Sequence, residues 1–221
     1  MDKVDSKNLI KKGAEASLFL SSWHGRKVVV KARLPKLYRP RELDEKIRDY
    51  RTAHEPQLMN EAKKAGVPTP TIFLVDMKNS EIIMEFVEGK QLKQVLPQVS
   101  GEQQQELCVK IGTLVGKMHH YGMVHGDLTT SNMILAGDGR IFLVDFGLGE
   151  KTREVESRGV DLHLMKRGLQ STHHEFCEEC FRSIRRGYSS VLGEEKAKKV
   201  FEKIREIERR GRYVDERKRS I

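Results

Sequence analysis

One stretch in the second half of the chain constrains its fold more than any other. Residues 124–132 read Val-His-Gly-Asp-Leu-Thr-Thr-Ser-Asn, and Val-Asp-Phe-Gly-Leu follows at residues 144–148. Between them, two β-rich runs flank Ala-Gly-Asp-Gly, which is a strong turn signal and predicts a hairpin. Two loops that flank one hairpin lie at the same end of it. The spacing therefore predicts that Asp127, Asn132 and Asp145 share one site.

These three side chains match the requirements of phosphoryl transfer. The reaction needs a group that orients the attacking hydroxyl or water, and carboxylates or amides that hold Mg²⁺ on the phosphates. We assign Asp127 as the base, Asn132 as a metal ligand and Asp145 as the main metal ligand. A lone Asp-Phe-Gly is common, and Asp127 alone could simply cap a turn. The two motifs separated by one hairpin are far more specific.

This constellation resembles the protein-kinase fold, and the resemblance extends upstream. Val28-Val-Val-Lys31 matches the strand whose lysine contacts the α- and β-phosphates. Residues 81–88 resemble the strand and hinge beneath adenine, with Met84 as gatekeeper and backbone groups of Glu85 and Val87 on the base. The resemblance implies an α+β, minimal bilobal protein-kinase-like fold. It would have an antiparallel sheet plus helix in the N-lobe and a reduced helical C-lobe.

Local patterns agree with that order of elements. Strands are expected at 17–20, 27–31, 71–75 and 81–86, and a basic helix at 40–65. Ser100 and Gln103 fit a capping box, and the helix after them should end at Gly122. A last helix is expected at 194–210, with Gly211 as its stop. The predicted domains are an N-lobe with a five-stranded sheet (1–88), a reduced C-lobe with the catalytic and metal loops (89–211), and a basic tail (212–221).

The chain differs from ordinary protein kinases in two motifs, and these differences limit the kinase-like families that it can resemble. The phosphate loop reads Lys12-Gly-Ala-Glu-Ala-Ser17 in place of Gly-x-Gly-x-x-Gly, so one glycine remains of three. No proline occurs after Pro97, so the Ala-Pro-Glu motif that anchors the peptide-positioning segment cannot exist. We expect the chain to lack the platform that holds a separate protein substrate.

With these departures the chain resembles the small atypical kinase/ATPase subunit of the KEOPS (EKC) complex. The residues that carry this resemblance are Gly13–Ala16, Arg51–Glu55, His125–Asn132, Asp145–Gly149, Val160–Leu162, Ser171–His173 and Arg210–Arg212. The resemblance implies ATP and Mg²⁺ as cofactors, ATP hydrolysis and autophosphorylation. It also implies a role in forming threonylcarbamoyladenosine on tRNA. The implied partners are the threonylcarbamoyl-transferase subunit, other KEOPS subunits and tRNA, the last through the basic segments and the C-terminal tail.

The resemblance also assigns roles residue by residue. Catalysis would fall to Asp127 and Lys31, and metal binding to Asn132 and Asp145. ATP would be bound by Ile10, Gly13, Ala14, Glu15, Ala16, Ser17, Lys31, Glu55, Met84, Glu85 and Val87. The partner of Lys31 stays open between Glu55 and Glu61, because Pro56 follows Glu55 and the residue before proline resists helical geometry. In that alternative, Thr52 and Glu55 would form a capping box.

The positive charge of the chain is localised. Net charge is +9, while residues 26–51 hold ten Lys/Arg against four Asp/Glu and residues 196–221 hold eleven against five. Such segments are typical of a polyanion-binding protein, with RNA as the example, and equally of a solvated surface. The tail from Arg212 to Ile221 is expected to be a mobile arm that neutralises tRNA phosphates.

The sequence also indicates where the protein is located and what role its cysteines have. No run approaches the roughly 18 apolar residues of a membrane span, and no signal peptide is evident, so we expect a cytoplasmic protein without membrane contact. Cys177 and Cys180 follow His173 and His174, which could be half of a metal site or a redox pair. On a helix they would fall on one face as small buried residues, which is the interpretation that we favour.

Three other functions remain open. Aminoglycoside- and choline-type phosphotransferases also use His-Gly-Asp, but usually carry a larger C-lobe than the 76 residues after Asp145 allow. A RIO-type kinase normally lacks Phe-Gly in its metal loop. A pseudokinase scaffold would bind partners without turnover, although the complete set of Lys31, Asp127, Asn132 and Asp145 argues against it. ATP hydrolysis measured with and without tRNA and the partner subunit separates most of these.

Overall fold

The computed structural model describes residues 7–219, and side chains as far as Arg210. Its first part is a five-stranded antiparallel sheet in the order β1-β2-β3-β5-β4, with one long helix against it. The elements are β1 (Asn8–Lys12), β2 (Ser17–Trp23), β3 (Arg26–Ala32), α1 (Arg41–Lys64), β4 (Ile72–Asp76) and β5 (Glu81–Glu85). The predicted α+β kinase-like architecture is therefore present.

Strand β3 is placed by its alternating valines and a tight turn. Val28, Val30 and Ala32 are buried on one face of the sheet. His24 and Gly25 both have positive φ, which is the geometry of a two-residue hairpin turn between β2 and β3. Strands β2 and β3 are longer than predicted, because the turn between them needs only two residues. Lys31 lies near the end of β3, on the opposite face from these valines.

Helix α1 continues through Pro56, which sequence reasoning had treated as a reason for doubt. The turns after the proline are fixed by tertiary packing, since Leu58, Met59 and Ala62 are buried in the main core. Thr52 lies in the middle of the helix and accepts a hydrogen bond from Arg33, so the alternative capping box at Thr52 does not form. Glu55 is held on the buried face of the helix.

The second part is mainly helical and packs a small hairpin against the first. It contains β6 (Gly89–Gln91), α2 (Leu92–Val95), α3 (Gly101–Tyr121), β7 (Met123–Val124), β8 (Met133–Ala136), β9 (Ile141–Leu143), β10 (Glu150–Lys151), α4 (Val155–Thr172), α5 (Cys177–Leu192) and α6 (Glu194–Arg219). Short 3₁₀ turns occupy 96–98, 130–132 and 174–176. The predicted capping box at Ser100 and the left-handed Gly122 both bound α3.

The prediction that Gly211 ends the last helix is wrong. Helix α6 runs on to Arg219, so most of the predicted tail continues the helix. A glycine inside a helix costs only about 1 kcal/mol relative to alanine, and it stops a helix only where the chain turns left-handed. Ser220 and Ile221 lie outside the described residues. Within residues 7–219 no helix is long and apolar enough to cross a membrane.

Helices α3 and α5 cross at glycines on both sides. A Cβ added at Gly187 would lie 2.0 Å from the backbone oxygen of Val109, and one at Gly112 would lie 2.0 Å from that of Ile184. No side chain fits there unless the helices separate. We expect Gly187→Ala to lower the free energy of unfolding by about 1–3 kcal/mol or more, measured by urea titration. Gly101→Ala, which meets open space at the start of α3, should cost nothing.

Candidate active site

The hairpin β8–β9 brings two loops together, the catalytic loop (residues 124–132) and the metal loop (residues 144–148). A cavity of about 350 Å³ opens there between the two parts of the chain. Of the predicted site residues, its lining includes Gly13, Ala14, Glu15, Ala16, Lys31, Asp127, Asn132 and Asp145. The three residues whose proximity was inferred from spacing thus line one cavity with the strand lysine.

Lys31 joins the two parts of the site. Its ammonium Nζ donates to Glu55 Oε1 at 2.8 Å and to Asp145 Oδ1 at 2.7 Å. The lysine side chain is almost fully buried, whereas that of Asp145 is 51% exposed. A cation held between two carboxylates points into the cavity and can meet a phosphate there.

Asp145 is held in an uncommon backbone conformation, with φ at +66°. Aspartate tolerates this left-handed region better than most residues, and here it turns the carboxylate toward the cavity. Burial opposes ionisation, but the Lys31 charge and hydrogen bond outweigh it and hold the pKa of Asp145 below its usual range. Near neutral pH the group is therefore an anionic carboxylate with oxygens suited to bind a cation.

Asp127 and Asn132 close the catalytic loop on itself. Asn132 Nδ2 donates to the backbone oxygen of Asp127 at 2.9 Å and to its Oδ2 at 2.8 Å. The amide nitrogen is thus used inside the loop, and Oδ1 of Asn132 is the atom suited to a metal. With Asp145, it offers the hard oxygen ligands that Mg²⁺ prefers. The residues present fit a magnesium site.

The partner of Lys31 is Glu55, and Arg33 shares it. Glu55 is fully buried, and its second oxygen accepts a charge-assisted hydrogen bond from Arg33, which is also buried. Sequence reasoning missed Arg33, which directly follows β3, although it lies two residues after Lys31 and in extended backbone would face the same side. One carboxylate therefore holds two cations beside the cavity.

Glu61 has a different role from the one considered for it. It accepts hydrogen bonds from Lys64, Lys151 and Tyr121, and these lower the pKa of Glu61 to about 2. Lys151 belongs to β10 and Tyr121 ends α3. Glu61 therefore ties α1 to the second part of the chain rather than pairing with Lys31.

The phosphate loop is fixed by charge where glycines are missing. The Gly13 N–H donates to the Ala16 backbone oxygen at 2.9 Å. Glu15 accepts hydrogen bonds from Arg39, at 2.9 Å for its Oε1, and forms an ion pair with Arg51 at 2.6 Å. The hydrogen bond from Arg39 is the main reason that the pKa of Glu15 is lowered. Arg39 and Arg51 were not among the predicted site residues.

Several of the residues predicted to bind ATP are not part of the lining of this cavity. In the described structure its lining does not include Ile10, Ser17, Glu55, Met84, Glu85 or Val87. Met84 and Val87 are buried, and Ile10 is half exposed on β1. The Glu85 N–H donates to the Thr71 backbone oxygen at 2.8 Å, which leaves its carbonyl as the group that could face a base. The assigned roles of these residues stay predictions.

A buried carboxylate that sequence reasoning quoted only as part of a motif supports the catalytic loop. Asp161 accepts backbone N–H bonds from His125 at 2.8 Å and Gly126 at 2.9 Å, and a side-chain bond from His119 at 3.1 Å. Burial raises the pKa of Asp161, but the His119 hydrogen bond and the other favourable contacts bring it below its usual range. His119 in turn contacts the Tyr188 hydroxyl at 2.9 Å.

His125 links the two loops through a single tautomer. Its Nδ1 accepts from the Asp127 N–H at 3.3 Å, so the proton of the neutral ring sits on Nε2, which donates to the Val144 backbone oxygen at 3.1 Å. The ring is completely buried. The catalytic loop and the Asp-Phe-Gly loop are therefore positioned as one unit.

The cysteine pair lies in the buried core. Cys108, Cys177 and Cys180 are buried free thiols, and the described residues contain no cluster of three or more metal-binding side chains. His173 instead makes a hydrogen bond with Thr130 in the catalytic loop, at 3.2 Å. The interpretation of the cysteines as buried apolar residues agrees with this packing.

Comparisons with known proteins agree with this geometry. The model of the lipopolysaccharide kinase (Kdo/WaaP) family matches residues 3–188. The chain is 46% identical over 211 residues to the KEOPS complex subunit Bud32 of Pyrococcus abyssi, covering 93% of this chain and 96% of that protein. It is 42% identical over 208 residues to a probable bifunctional tRNA threonylcarbamoyladenosine biosynthesis protein of Methanothermobacter thermautotrophicus.

The coverage of these relatives differs. The match to the Methanothermobacter protein takes 94% of this chain but only 37% of that longer protein. Among solved structures, the Rio2 kinase-ADP/Mg²⁺-phosphoaspartate complex of Chaetomium thermophilum aligns with a TM-score of 0.65 over 93% of this chain and 72% of that one. At 16% identity, that likeness establishes the kinase-like fold alone.

Proposed function

The chain belongs to the Bud32 family of KEOPS complex subunits, and on that basis we propose that it is a Mg²⁺- and ATP-dependent atypical serine/threonine kinase and ATPase. The observation that carries the proposal is the position of Lys31. Its ammonium lies between Glu55 and Asp145, in the cavity that Asp127 and Asn132 also line. These are the parts that phosphoryl transfer requires.

Each side chain has one task in this proposal. Lys31 offsets the charge of the nucleotide phosphates, and Glu55 keeps that ammonium in place. Asp145 and Asn132 Oδ1 would hold Mg²⁺, which supplies charge stabilisation at the transferred phosphoryl group. The Asp127 carboxylate, fixed by the Asn132 amide, orients the attacking hydroxyl or water and accepts its proton.

The structure around the metal loop favours water, or a residue of the same chain, as acceptor. Only Phe146–Glu154 connect Asp145 to α4, and the two-residue strand β10 within that stretch pairs with β7. A protein kinase normally uses a longer segment here to position a peptide. This agrees with the missing Ala-Pro-Glu motif.

We therefore expect radiolabelled ATP to mark the chain itself, and to release inorganic phosphate, more readily than it marks generic peptides. The measurement compares label in the protein band, in free phosphate and in an added basic protein under identical conditions. Efficient labelling of the added protein would contradict the proposal. A small hydroxyl compound that takes most of the phosphate would favour the aminoglycoside- or choline-type phosphotransferase.

In the cell we propose that the chain supports threonylcarbamoyladenosine formation on tRNA within a KEOPS assembly. The partners would be the threonylcarbamoyl-transferase subunit, other KEOPS subunits and tRNA, in the cytoplasm. The relatives named for this complex and this modification support the proposal, and in the longer Methanothermobacter protein a segment like this chain occupies 37% of the length. Stimulation of ATP hydrolysis by tRNA and the partner subunit tests it, and a pseudokinase scaffold predicts no hydrolysis.

A further inference from the structure

The two basic segments of the chain differ in how their charge is used. Seven of the ten cations in residues 26–51 lie within 4 Å of a carboxylate in the structure. They include Arg39 and Arg51 on Glu15, and Arg48 on Asp44. Charge that is paired within the chain is partly neutralised and attracts an external polyanion less strongly. A partner with many negative charges should therefore bind elsewhere.

One cluster of cations lies between the last two long helices. Arg182, Arg185 and Arg186 on α5 face Lys198 and Arg205 on α6 across an open groove of about 480 Å³, which we call the α5–α6 groove. The α5 residues are spaced at i, i+3 and i+4, and Lys198 and Arg205 lie seven apart, so each set lies on one helical face. All five side chains belong to exposed residues.

Most of these cations have no carboxylate as a direct partner. Among the described residues, no carboxylate lies within 4 Å of Arg182, Arg185, Arg186 or Lys198, and Arg205 meets Glu202 only at 4.0 Å. Two carboxylates, Glu194 and Glu195, also line the groove, so cations still outnumber anions there. Exposed, uncompensated arginines bind phosphates well because their planar donors match phosphate oxygens and binding releases counterions.

Two of the cationic side chains in the groove are held by contacts within the chain. The Arg185 guanidinium lies over the Phe201 ring, 4.3 Å from its centroid, and Phe201 is itself buried. This contact holds one cation toward the groove without neutralising it. Arg186 donates to the Ser183 hydroxyl at 3.3 Å. Two of the five cations are thus restrained before any ligand binds, which lowers the entropy cost of binding.

We propose that the α5–α6 groove binds the phosphodiester backbone of RNA, at a site separate from the candidate active site. The inference rests on the proposed function in naming tRNA as the RNA. A protein partner would need apolar anchors at the core of its interface, and a membrane would need apolar side chains to insert. The large exposed apolar residues of the described chain include none on α5 or on α6 as far as Arg210.

The test compares two triple variants of the full-length chain. The groove variant is Arg182→Glu, Arg186→Glu and Lys198→Glu. The control is Arg26→Glu, Lys46→Glu and Lys78→Glu, which reverses three exposed N-lobe cations with no carboxylate within 4 Å among the described residues. Both changes alter net charge equally and leave the active site and Phe201 untouched. Affinity for a fluorescent tRNA transcript is measured by anisotropy over a range of salt concentrations.

We expect the groove variant to bind the transcript at least about tenfold more weakly than the control variant at 0.1 M salt. Its slope of log affinity against log salt should fall by about two units, since each lost phosphate contact removes roughly 0.7–0.9. Equal weakening of both variants would overturn the proposal, because net charge alone would then explain binding. Competition by polyglutamate as effective as that of RNA would also overturn it, in favour of an acidic protein.

The proposal can fail independently of the proposed enzyme activity. ATP hydrolysis without RNA should be the same in the groove variant and the wild type. An Asp145→Ala protein should lose hydrolysis and still bind the transcript. Melting temperatures check that each variant is folded. If the triple groove variant melts early, Arg182→Gln alone gives the same comparison against Lys46→Gln.

Discussion

Replacing Asp145 by alanine should lower Mg²⁺-dependent ATP turnover by on the order of 100-fold or more, because the change removes the carboxylate that we propose as the main metal ligand. The carboxylate is half exposed and faces the cavity, so little packing is lost. Lys31 keeps its second partner, Glu55, and the pair remains buried. We therefore expect the variant to stay folded, with the loss confined to turnover in a steady-state phosphate-release assay.

The matched control is Asp138→Ala on the same hairpin. Asp138 is exposed in the turn between β8 and β9, where it pairs with Arg140 far from the cavity. Its removal should leave turnover within about twofold of wild type, because surface ion pairs contribute little. If Asp145→Ala retained turnover within a few-fold of wild type, Asp145 would not be the metal ligand.

Much of the fold could be predicted because its determinants are local. The capping box of Ser100 and Gln103, the left-handed stop at Gly122 and the turn after β8 each depend on a few adjacent residues. Likewise, the spacing of Asp127, Asn132 and Asp145 around one hairpin was enough to place them on one cavity. Short-range patterns of this kind are readable without a structure.

The missed features all depend on distant contacts. Arg33 meets Glu55 across 22 residues of sequence, and Asp161 reaches His125 across 36. The ion pairs of residues 26–51 could not be predicted either, because the summed charge of a segment says nothing about partners elsewhere, such as Glu15. The prediction that Gly211 ends the last helix failed for a related reason. A glycine ends a helix only when its own backbone turns left-handed, which composition does not reveal.

Replacing Asp161 by alanine should have the largest effect on stability. The change leaves the backbone N–H groups of His125 and Gly126 buried without an acceptor, and it removes the partner of His119. Each unsatisfied buried donor costs about 1–3 kcal/mol. We expect the free energy of unfolding to fall by about 2–5 kcal/mol in urea titrations. Asp138→Ala should leave it almost unchanged.

The difference in stability between wild type and Asp161→Ala should depend on pH if the charge of the buried carboxylate contributes to it. The pKa of Asp161 is lower in the folded chain than the value of about 3.9 expected when unfolded. Such a group contributes stability that is fully present above the unfolded pKa and disappears as pH falls through the folded pKa. Wild type should therefore lose its advantage over Asp161→Ala only below about pH 4. A constant difference between the two proteins down to pH 2 would mean that the pKa of Asp161 does not shift on folding, and that the charge of its carboxylate contributes nothing to stability.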